Sequence, residues 1–270
     1  MFDLIRIEWL KIRRYPAFWW MFGIVTLSYP GINYLFYNIY LNIISRKGGT
    51  GNLARALMGN PFAFPETWHS VAYFSSCFVM IPSILVIMLM TNEYQFKTNR
   101  QNIIDGWSKS QFITGKLCDV VIITFIVTLV YSLAALFFGV VASDDSSRWS
   151  EQLQYIPLFM LQTFAQLSIA FLLGFLIRKA FIALGVFIFY YLVLENIGVN
   201  YLKFKQHDEG RFLPFEISDR LIPNPKFMGR VNSDAYDKAL RAINEHIVYT
   251  VVLTAFIWWL CYYVYKKRDL

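Results

Sequence analysis

The sequence predicts an all-α, polytopic membrane protein with six transmembrane helices, and three observations support this fold class. First, hydrophobic residues make up 57% of the 270 residues and charged residues only 16%, whereas a soluble domain carries about 25% charged residues. Second, six apolar runs reach or approach the length of about 20 residues that a helix needs to cross the hydrocarbon core. Third, lysines and arginines flank these runs instead of forming one basic patch, although the formal net charge is +7. A nucleic-acid partner is therefore not expected.

The first segment, residues 1–15, predicts an amphipathic helix that lies at the membrane interface. Four apolar residues recur on one side at helical spacing: Phe2, Ile5, Trp9 and Ile12. Charged residues, Glu8 and Lys11 among them, occupy the other side. Such a helix places its apolar face in the acyl boundary and its cations toward lipid headgroups. The alternative is a cytosolic extension of the first span, whose start is marked by Pro16.

Six apolar runs are the predicted spans of a single transmembrane domain, residues 1–270. They cover residues 17–40, 69–91, 117–142, 153–177, 180–199 and 247–265. Pro30 and Pro82 are expected to kink the first two spans, because a proline removes a backbone donor and crowds the preceding turn. The glycine-rich residues 47–51 predict a flexible outer loop. Arg178 and Lys179 alone separate the fourth span from the fifth, which predicts a tight helical hairpin.

The distribution of basic residues predicts that both termini face the cytosol. Lysines and arginines concentrate before the first span, between the second and third spans, at Arg178 and Lys179, and after the last span. The short connections on the opposite side carry few of them, and short loops set the orientation. Residues 200–246 are expected outside, because long segments translocate largely regardless of charge. They predict an ordered extracytoplasmic cap with one or two short helices, which we expect to contribute to substrate or partner specificity.

Four polar residues within the predicted spans could have functional roles. Gln162 and Gln166 lie four residues apart and so share one face of the fourth span. Buried amides in lipid seek hydrogen-bond partners on other helices, so structural contact is preferred here over a substrate path. Asp119 and Glu195 are candidates because acids within a membrane are often functional. Both lie near an end of their span, however, where solvent or a partner can neutralise them.

Residues 92–116 form the segment most expected to touch a cytosolic partner. Apolar residues alternate there with polar ones at helical spacing: Ile103, Ile104, Trp107 and Phe112 against Arg100, Asp105, Lys109 and Gln111. A connection that only joined two spans could be short and wholly polar. The alternative is an interfacial helix that contacts lipid alone.

The architecture resembles the permease subunits of type-2 ABC exporters. The shared features are a basic amphipathic helix at the amino terminus, six spans, a cytoplasmic helix between the second and third spans, and an outer segment before the last. Residue-level similarity is concentrated in the connection after the second span: Glu93, Thr98, Gly106, Ser108, Phe112, Gly115, Lys116 and Leu117. The proline that often precedes the serine in that family is absent, and Trp107 stands in that region.

This resemblance implies a coupling helix, at roughly residues 102–112, that docks in a groove of a separate ABC ATPase. Its docking residues would be Ile104, Trp107, Phe112, Glu93 and Arg100. ATP and Mg²⁺ would belong to that ATPase, because this chain has no Gly-x-x-x-x-Gly-Lys-Ser/Thr motif. The chain itself is then expected to be no enzyme and to hold no metal or cofactor.

The same resemblance implies that two permease copies, or this chain and a homologous permease, form a dimer among the lipids of a bacterial inner membrane. An amphipathic or hydrophobic substrate would leave through an aromatic-lined passage. The candidate lining residues are Tyr29, Tyr34, Phe78, Phe187 and Tyr190.

Two other function classes stay open at this point. The chain could be a membrane subunit of the same architecture that moves no solute, for example in cell-surface assembly, lipid remodelling or immunity. It could also be an intramembrane hydrolase, which would need convergent acids, a Ser-His or Ser-Lys arrangement, or metal ligands. The three histidines lie in or beside outer regions, which disfavours the hydrolase.

Overall fold

The computed structural model describes residues 2–45, 59–145, 147–205, 208–229 and 233–267, and the regular elements in these ranges are helices. The all-α fold class is thereby confirmed. The glycine-rich residues 47–51, expected to form an outer loop, lie outside the described ranges.

The first half of the chain begins with two helices that meet at a single extended residue, Tyr15. Its helices are α1 (Phe2–Arg14), α2 (Pro16–Ile44), α3 (Thr67–Ser76), α4 (Met80–Gln95), α5 (Thr98–Ile104) and α6 (Lys109–Ala142). α2 runs through Pro30. The kink expected at Pro82 is seen as a 48° bend between α3 and α4. The break falls on the turn before the proline, where its ring crowds the preceding carbonyl.

The second half contains two long helices, one long broken helix and the segment expected to form a cap. α7 (Tyr155–Ile177) is followed by α8 (Ala180–Phe189), which continues through a π-helical turn (Tyr190–Leu194) into α9 (Glu195–Phe204). A 3-10 turn (Glu209–Phe212), α10 (Pro214–Asp219), α11 (Lys226–Gly229) and α12 (Ser233–Lys267) complete the described chain. α12 has 35 residues, so the last predicted span and the helical stretch before it form one helix.

Among the described residues, four helices are long and apolar enough to cross a membrane: α6, α7, the continuous α8–α9 helix, and α12. The bent pair of α3 and α4 gives a fifth if it is one span. The chain is thus a membrane protein by the length and composition of its helices. α2 has 29 residues, but its many aromatic and polar residues lower its hydropathy below that of the other four. The expected count of six spans therefore depends on α2 and is not confirmed.

α7 is the central helix of the bundle and packs against α3, α4, α6, α8, α10 and α12. The ring of its Phe159 stacks on the ring of Tyr131 of α6, with 4.4 Å between the ring centroids. The same ring makes an edge-to-face contact with Tyr29 of α2, with 6.2 Å between the centroids. By contrast, α2 and α8 expose large apolar side chains, including Leu27 and Phe181. Apolar surfaces of this extent mark contacts with membrane or protein.

Candidate functional site

α1 packs against the first turns of α6 with a face that includes a charged residue. Glu8 and Ile12 are fully buried there, whereas Ile7 and Leu10 are exposed. The prediction that Glu8 lies on the outer, polar side of α1 was wrong. Gly115 of α6 lies directly beside this side chain, and an added Cβ there would be in ordinary van der Waals contact with Glu8 Cγ, at 3.4 Å.

Glu8 is buried because it meets the ammonium group of Lys116. Lys116 Nζ donates to Glu8 Oε2 at 2.6 Å, to Glu93 Oε1 at 2.8 Å and to Asp119 Oδ2 at 3.1 Å. The three donors of the ammonium are therefore all used. These contacts connect α1, α4 and α6 through one buried side chain.

Lys11 completes what we call the Lys116 cluster: Glu8, Lys11, Glu93, Lys116 and Asp119. Lys11 Nζ lies 2.9 Å from Glu8 Oε1 and 3.6 Å from Glu93 Oε1. Burial alone would raise the pKa of Glu8, but the two lysines outweigh this effect and lower the pKa to about 2. Glu8 is therefore an anion at neutral pH, and the cluster brings three carboxyl groups together with two ammonium groups.

The α4–α6 connector, residues 96–108, starts at this cluster and has a defined shape. Thr98 Oγ1 donates to Glu93 Oε2 at 2.7 Å, which joins the first turn of α5 to α4. Gly106 has a φ of +99°, a conformation that favours glycine. Ser108 then forms a capping box with Gln111, each side chain accepting the backbone N–H of the other residue, and this motif begins α6.

The structure separates the five predicted docking residues into two groups. Ile104 is 78% exposed, Arg100 is exposed as well, and Trp107 is half-buried with Lys11 Nζ 5.4 Å from its ring. Phe112 is fully buried and stacks on Tyr265 of α12 at 5.0 Å, while Glu93 is buried in the Lys116 cluster. Phe112 and Glu93 therefore present no surface to a partner, which corrects their assignment as docking residues.

The helix expected at residues 102–112 is in fact two helices. α5 ends at Ile104 and α6 begins at Lys109, with a turn between them. The glycine at position 106 and the capping serine explain this break, because both favour a helix boundary over a helix interior.

A second polar cluster attaches α10 to α7. Gln162 Nε2 and Gln166 Nε2 donate to the same oxygen, Asp219 Oδ1, at 2.9 and 2.6 Å. Nearby, Glu195 Oε1 accepts the backbone N–H of Glu216 at 2.6 Å. All three residues therefore have partners in the segment expected to form the cap, not on other spans.

Residues 52–270 match the sequence model of a family described as "Protein of unknown function (DUF2705)". The chain belongs to the DUF2705 family. A comparison with curated proteins found no match, and a comparison with solved structures found none either.

The DUF2705 match includes three members of the Lys116 cluster and excludes two. Glu93, Lys116 and Asp119 lie within residues 52–270, whereas Glu8 and Lys11 precede them on α1. α1 therefore contributes side chains to a centre that is otherwise built by the family region.

The five candidate path residues of this DUF2705 protein occupy different environments. Tyr29 and Phe187 are fully buried in the core. Phe187 and Tyr190 both pack on Phe215 of the cap segment, with ring centroids 5.9 and 6.0 Å apart. Tyr34 is 59% exposed on α2, and Phe78 is half-buried at the bend between α3 and α4. Tyr29 and Phe187 are thus enclosed by other side chains, and Tyr34 is the most exposed of the five.

Asp219→Asn is expected to change how the stability of this DUF2705 protein depends on pH. Burial raises the pKa of Asp219 from 3.8 to about 6, and the two glutamine amides only partly oppose this rise. Because the folded-state pKa is above the unfolded-state value, ionising Asp219 costs stability as the pH rises from about 4 to about 6. The stability of the variant should not decrease over this pH range. At pH 7.5 its free energy of unfolding should exceed that of the wild type by about 3 kcal/mol at most.

Thermal unfolding of both proteins in detergent between pH 4 and pH 8 measures the difference. Groups that titrate equally in the two proteins cancel in that comparison. Parallel pH profiles for the wild type and Asp219→Asn would contradict a raised pKa at Asp219.

Proposed function

We propose that this DUF2705 protein is the membrane-spanning permease subunit of an ATP-driven ABC exporter in a bacterial inner membrane. In this proposal α2 is the first span, α3 and α4 form the second, and α6, α7, α8–α9 and α12 are the other four. The length of α2 supports its assignment as a span, since a helix of 29 residues extends about 43 Å and the hydrocarbon core is about 30 Å thick. Both termini then lie in the cytosol, and α10 and α11 belong to an outer cap.

The observation that carries the proposal is an exposed apolar side chain on a connector that is held firmly at its base. Ile104 is 78% exposed at the end of α5, with Arg100 one helical turn before it. An apolar anchor of this kind fits a groove on a partner, while charges beside it set the orientation of docking. The partner would be a separate ABC ATPase that binds ATP and Mg²⁺.

The Lys116 cluster gives this connector a mechanical link to three helices. A force on α5 would pass through the Thr98 and Glu93 side chains to Lys116, and from there to Glu8. Separating buried charges from one another is costly. α1, α4 and α6 would therefore move with the connector as one unit when the ATPase closes.

The exposed apolar helices support the remaining part of the proposed assembly. α2 and α8 offer surface for lipid and for a second permease, either another copy or a homologue. The substrate would be amphipathic or hydrophobic, in keeping with an aromatic-rich interior. A subunit that uses the same ATPase docking without moving a solute is the alternative.

Ile104→Asp is expected to weaken ATPase binding at least about tenfold, because it places a charge where an apolar anchor enters a groove. Trp107→Ala should reduce ATPase stimulation as well. The measurements are co-purification of the ATPase with the tagged chain and ATP hydrolysis in co-reconstituted vesicles. Phe204→Asp is the matched control, since Phe204 is 88% exposed at the far end of α9.

Normal coupling in both connector variants would contradict the docking role. Gln101→Cys gives an independent test of orientation, because a thiol on exposed α5 should react with a membrane-impermeant reagent only from the cytosolic side. The chain has a native exposed cysteine, Cys77, so labelling from outside intact cells that exceeds labelling of the wild type would exclude the proposed function. Solute movement on ATP addition would separate an exporter from the subunit that moves no solute.

A further inference from the structure

A cavity of about 740 Å³ lies where the connector, the turn between α7 and α8, and the end of α12 meet. Four cationic residues line it: Lys97, Arg100, Arg178 and Lys179. Its other described lining residues are aromatic, amide or apolar, among them Tyr94, Asn99, Phe181 and Tyr265, and none of the described lining residues is acidic. The charged groups among the described lining residues are therefore all positive.

Among the described residues, no carboxylate forms a salt bridge with any of the four cations. The lysines and arginines that form salt bridges in the described ranges are Lys11, Lys116, Arg148, Lys203, Arg211 and Arg220. The nearby carboxylate of Glu93 is already used by Lys116, Lys11 and Thr98. Four like charges around one cavity repel each other, and an anion in the cavity relieves that repulsion.

Two of these cationic residues lie at turns of the chain with a left-handed backbone. Arg178 has a φ of +60°, and its guanidinium carbon lies 4.7 Å from the centre of the Tyr94 ring. Lys97 has a φ of +56° at the start of the connector. Both residues thus lie at sharp turns of the chain that border the cavity.

The start of α8 adds a second, independent feature that favours an anion. Ala180 and Phe181 line the cavity, and no side chain caps the helix at Lys179. The first backbone N–H groups of a helix have no partner within it, and its dipole places partial positive charge there. The helix that begins here continues for 25 residues, to Phe204. Helix starts of this kind bind phosphate.

We propose that this cavity binds the phosphate headgroup of an anionic phospholipid. Phe181 is 90% exposed at the rim, and α8 continues away from the cavity with exposed apolar side chains such as Ile182, Val186 and Phe189. The headgroup would occupy the cationic cavity while an acyl chain lies along this apolar face. Basic pockets beside membrane helices bind anionic headgroups in this manner. A soluble phosphate ester would use the cavity but not the face of α8.

The bound lipid would join two separate parts of the chain. Lys97 and Arg100 belong to the connector, whereas Arg178 and Lys179 belong to the turn between α7 and α8. Phosphate oxygens contacting both pairs would hold the connector against that turn. This inference does not depend on an ATPase partner.

The test uses the full chain in nanodiscs of phosphatidylcholine with and without phosphatidylglycerol. Native mass spectrometry counts the bound lipids, and thermal unfolding measures their effect. We expect phosphatidylglycerol to bind the wild type and raise its unfolding temperature. The double variant Arg178→Gln/Lys179→Gln should lose affinity at least about tenfold, since each removed cation near a lipid phosphate weakens binding.

Arg13→Gln/Arg14→Gln is the matched control, because it removes two exposed cations at the end of α1 and should retain the bound lipid. Lys97→Gln/Arg100→Gln provides a second loss variant whose substituted side chains are exposed, in case the first fails to fold. Equal phosphatidylglycerol binding by the wild type and a folded cavity variant would overturn the site. Inorganic phosphate that stabilises the wild type as much as the lipid does would overturn the lipid as its occupant.

Discussion

Lys116→Met is expected to destabilise the protein by about 3–5 kcal/mol, because it removes one partner from a buried ion cluster. Glu8, Glu93 and Asp119 would lose the ammonium group that donates to each of them. Lys11 would remain, and its Nζ pairs with Glu8 and Glu93. The loss is measured as a lower unfolding temperature and a smaller folded fraction in detergent.

Arg148→Met is the matched control for the loss of a paired cation. Arg148 and Glu151 form a salt bridge at 2.6 Å, but their side chains are 61% and 50% exposed. Such surface pairs contribute about 0–1 kcal/mol. Adding Glu8→Gln to Lys116→Met should restore part of the stability, because one uncompensated charge disappears. Equal losses in Lys116→Met and Arg148→Met would show that the cluster is not important for folding.

Phe112→Asp is expected to destabilise the protein by more than about 3 kcal/mol, whereas Ile104→Asp should change its stability by less than about 1 kcal/mol. Phe112 is fully buried against Tyr265, so aspartate would remove a ring stack and place a charge in the core. Ile104 is exposed and has little packing to lose. Unfolding curves of the two variants in the same detergent give the comparison.

The comparison of Phe112→Asp with Ile104→Asp also decides how a loss of ATPase coupling should be interpreted. A coupling defect in Phe112→Asp would report damage to the fold, while the same defect in a stable Ile104→Asp would report a lost contact. Wild-type stability in Phe112→Asp would refute the buried position of this ring.

The long apolar helices were predictable from the sequence because their signal is local. The fourth predicted span, residues 153–177, nearly coincides with α7, and α6 ends at residue 142 as expected. α6 begins at Lys109, eight residues before the predicted span, because Ser108 caps its first turn. The residues of that first turn are too polar for hydropathy to identify them as part of a span. α2 is harder to assign, since aromatic side chains suit a membrane but lower the hydropathy.

The candidate site was less predictable because its contacts join distant parts of the chain. Lys116 and Asp119 are three residues apart, a spacing that indicates contact on a helix. Glu8 lies 108 positions before Lys116, and a helical pattern places a glutamate on the solvent side by default. Phe112 was misassigned for a related reason, since periodicity identifies an apolar face but does not say whether α12 or another protein covers it.

α12 connects the two regions that these contacts define. At one end, His246 Nδ1 lies 3.2 Å from the carbonyl oxygen of Ile217, beside Asp219 of α10. At the other, Tyr265 covers Phe112 at the base of α6. A helix of 35 residues is a rod about 52 Å long, with no proline to act as a hinge. If α12 tilts as a rigid helix, a movement at His246 also moves Tyr265. The contact with α10 and the contact with the first turn of α6 would therefore change position together.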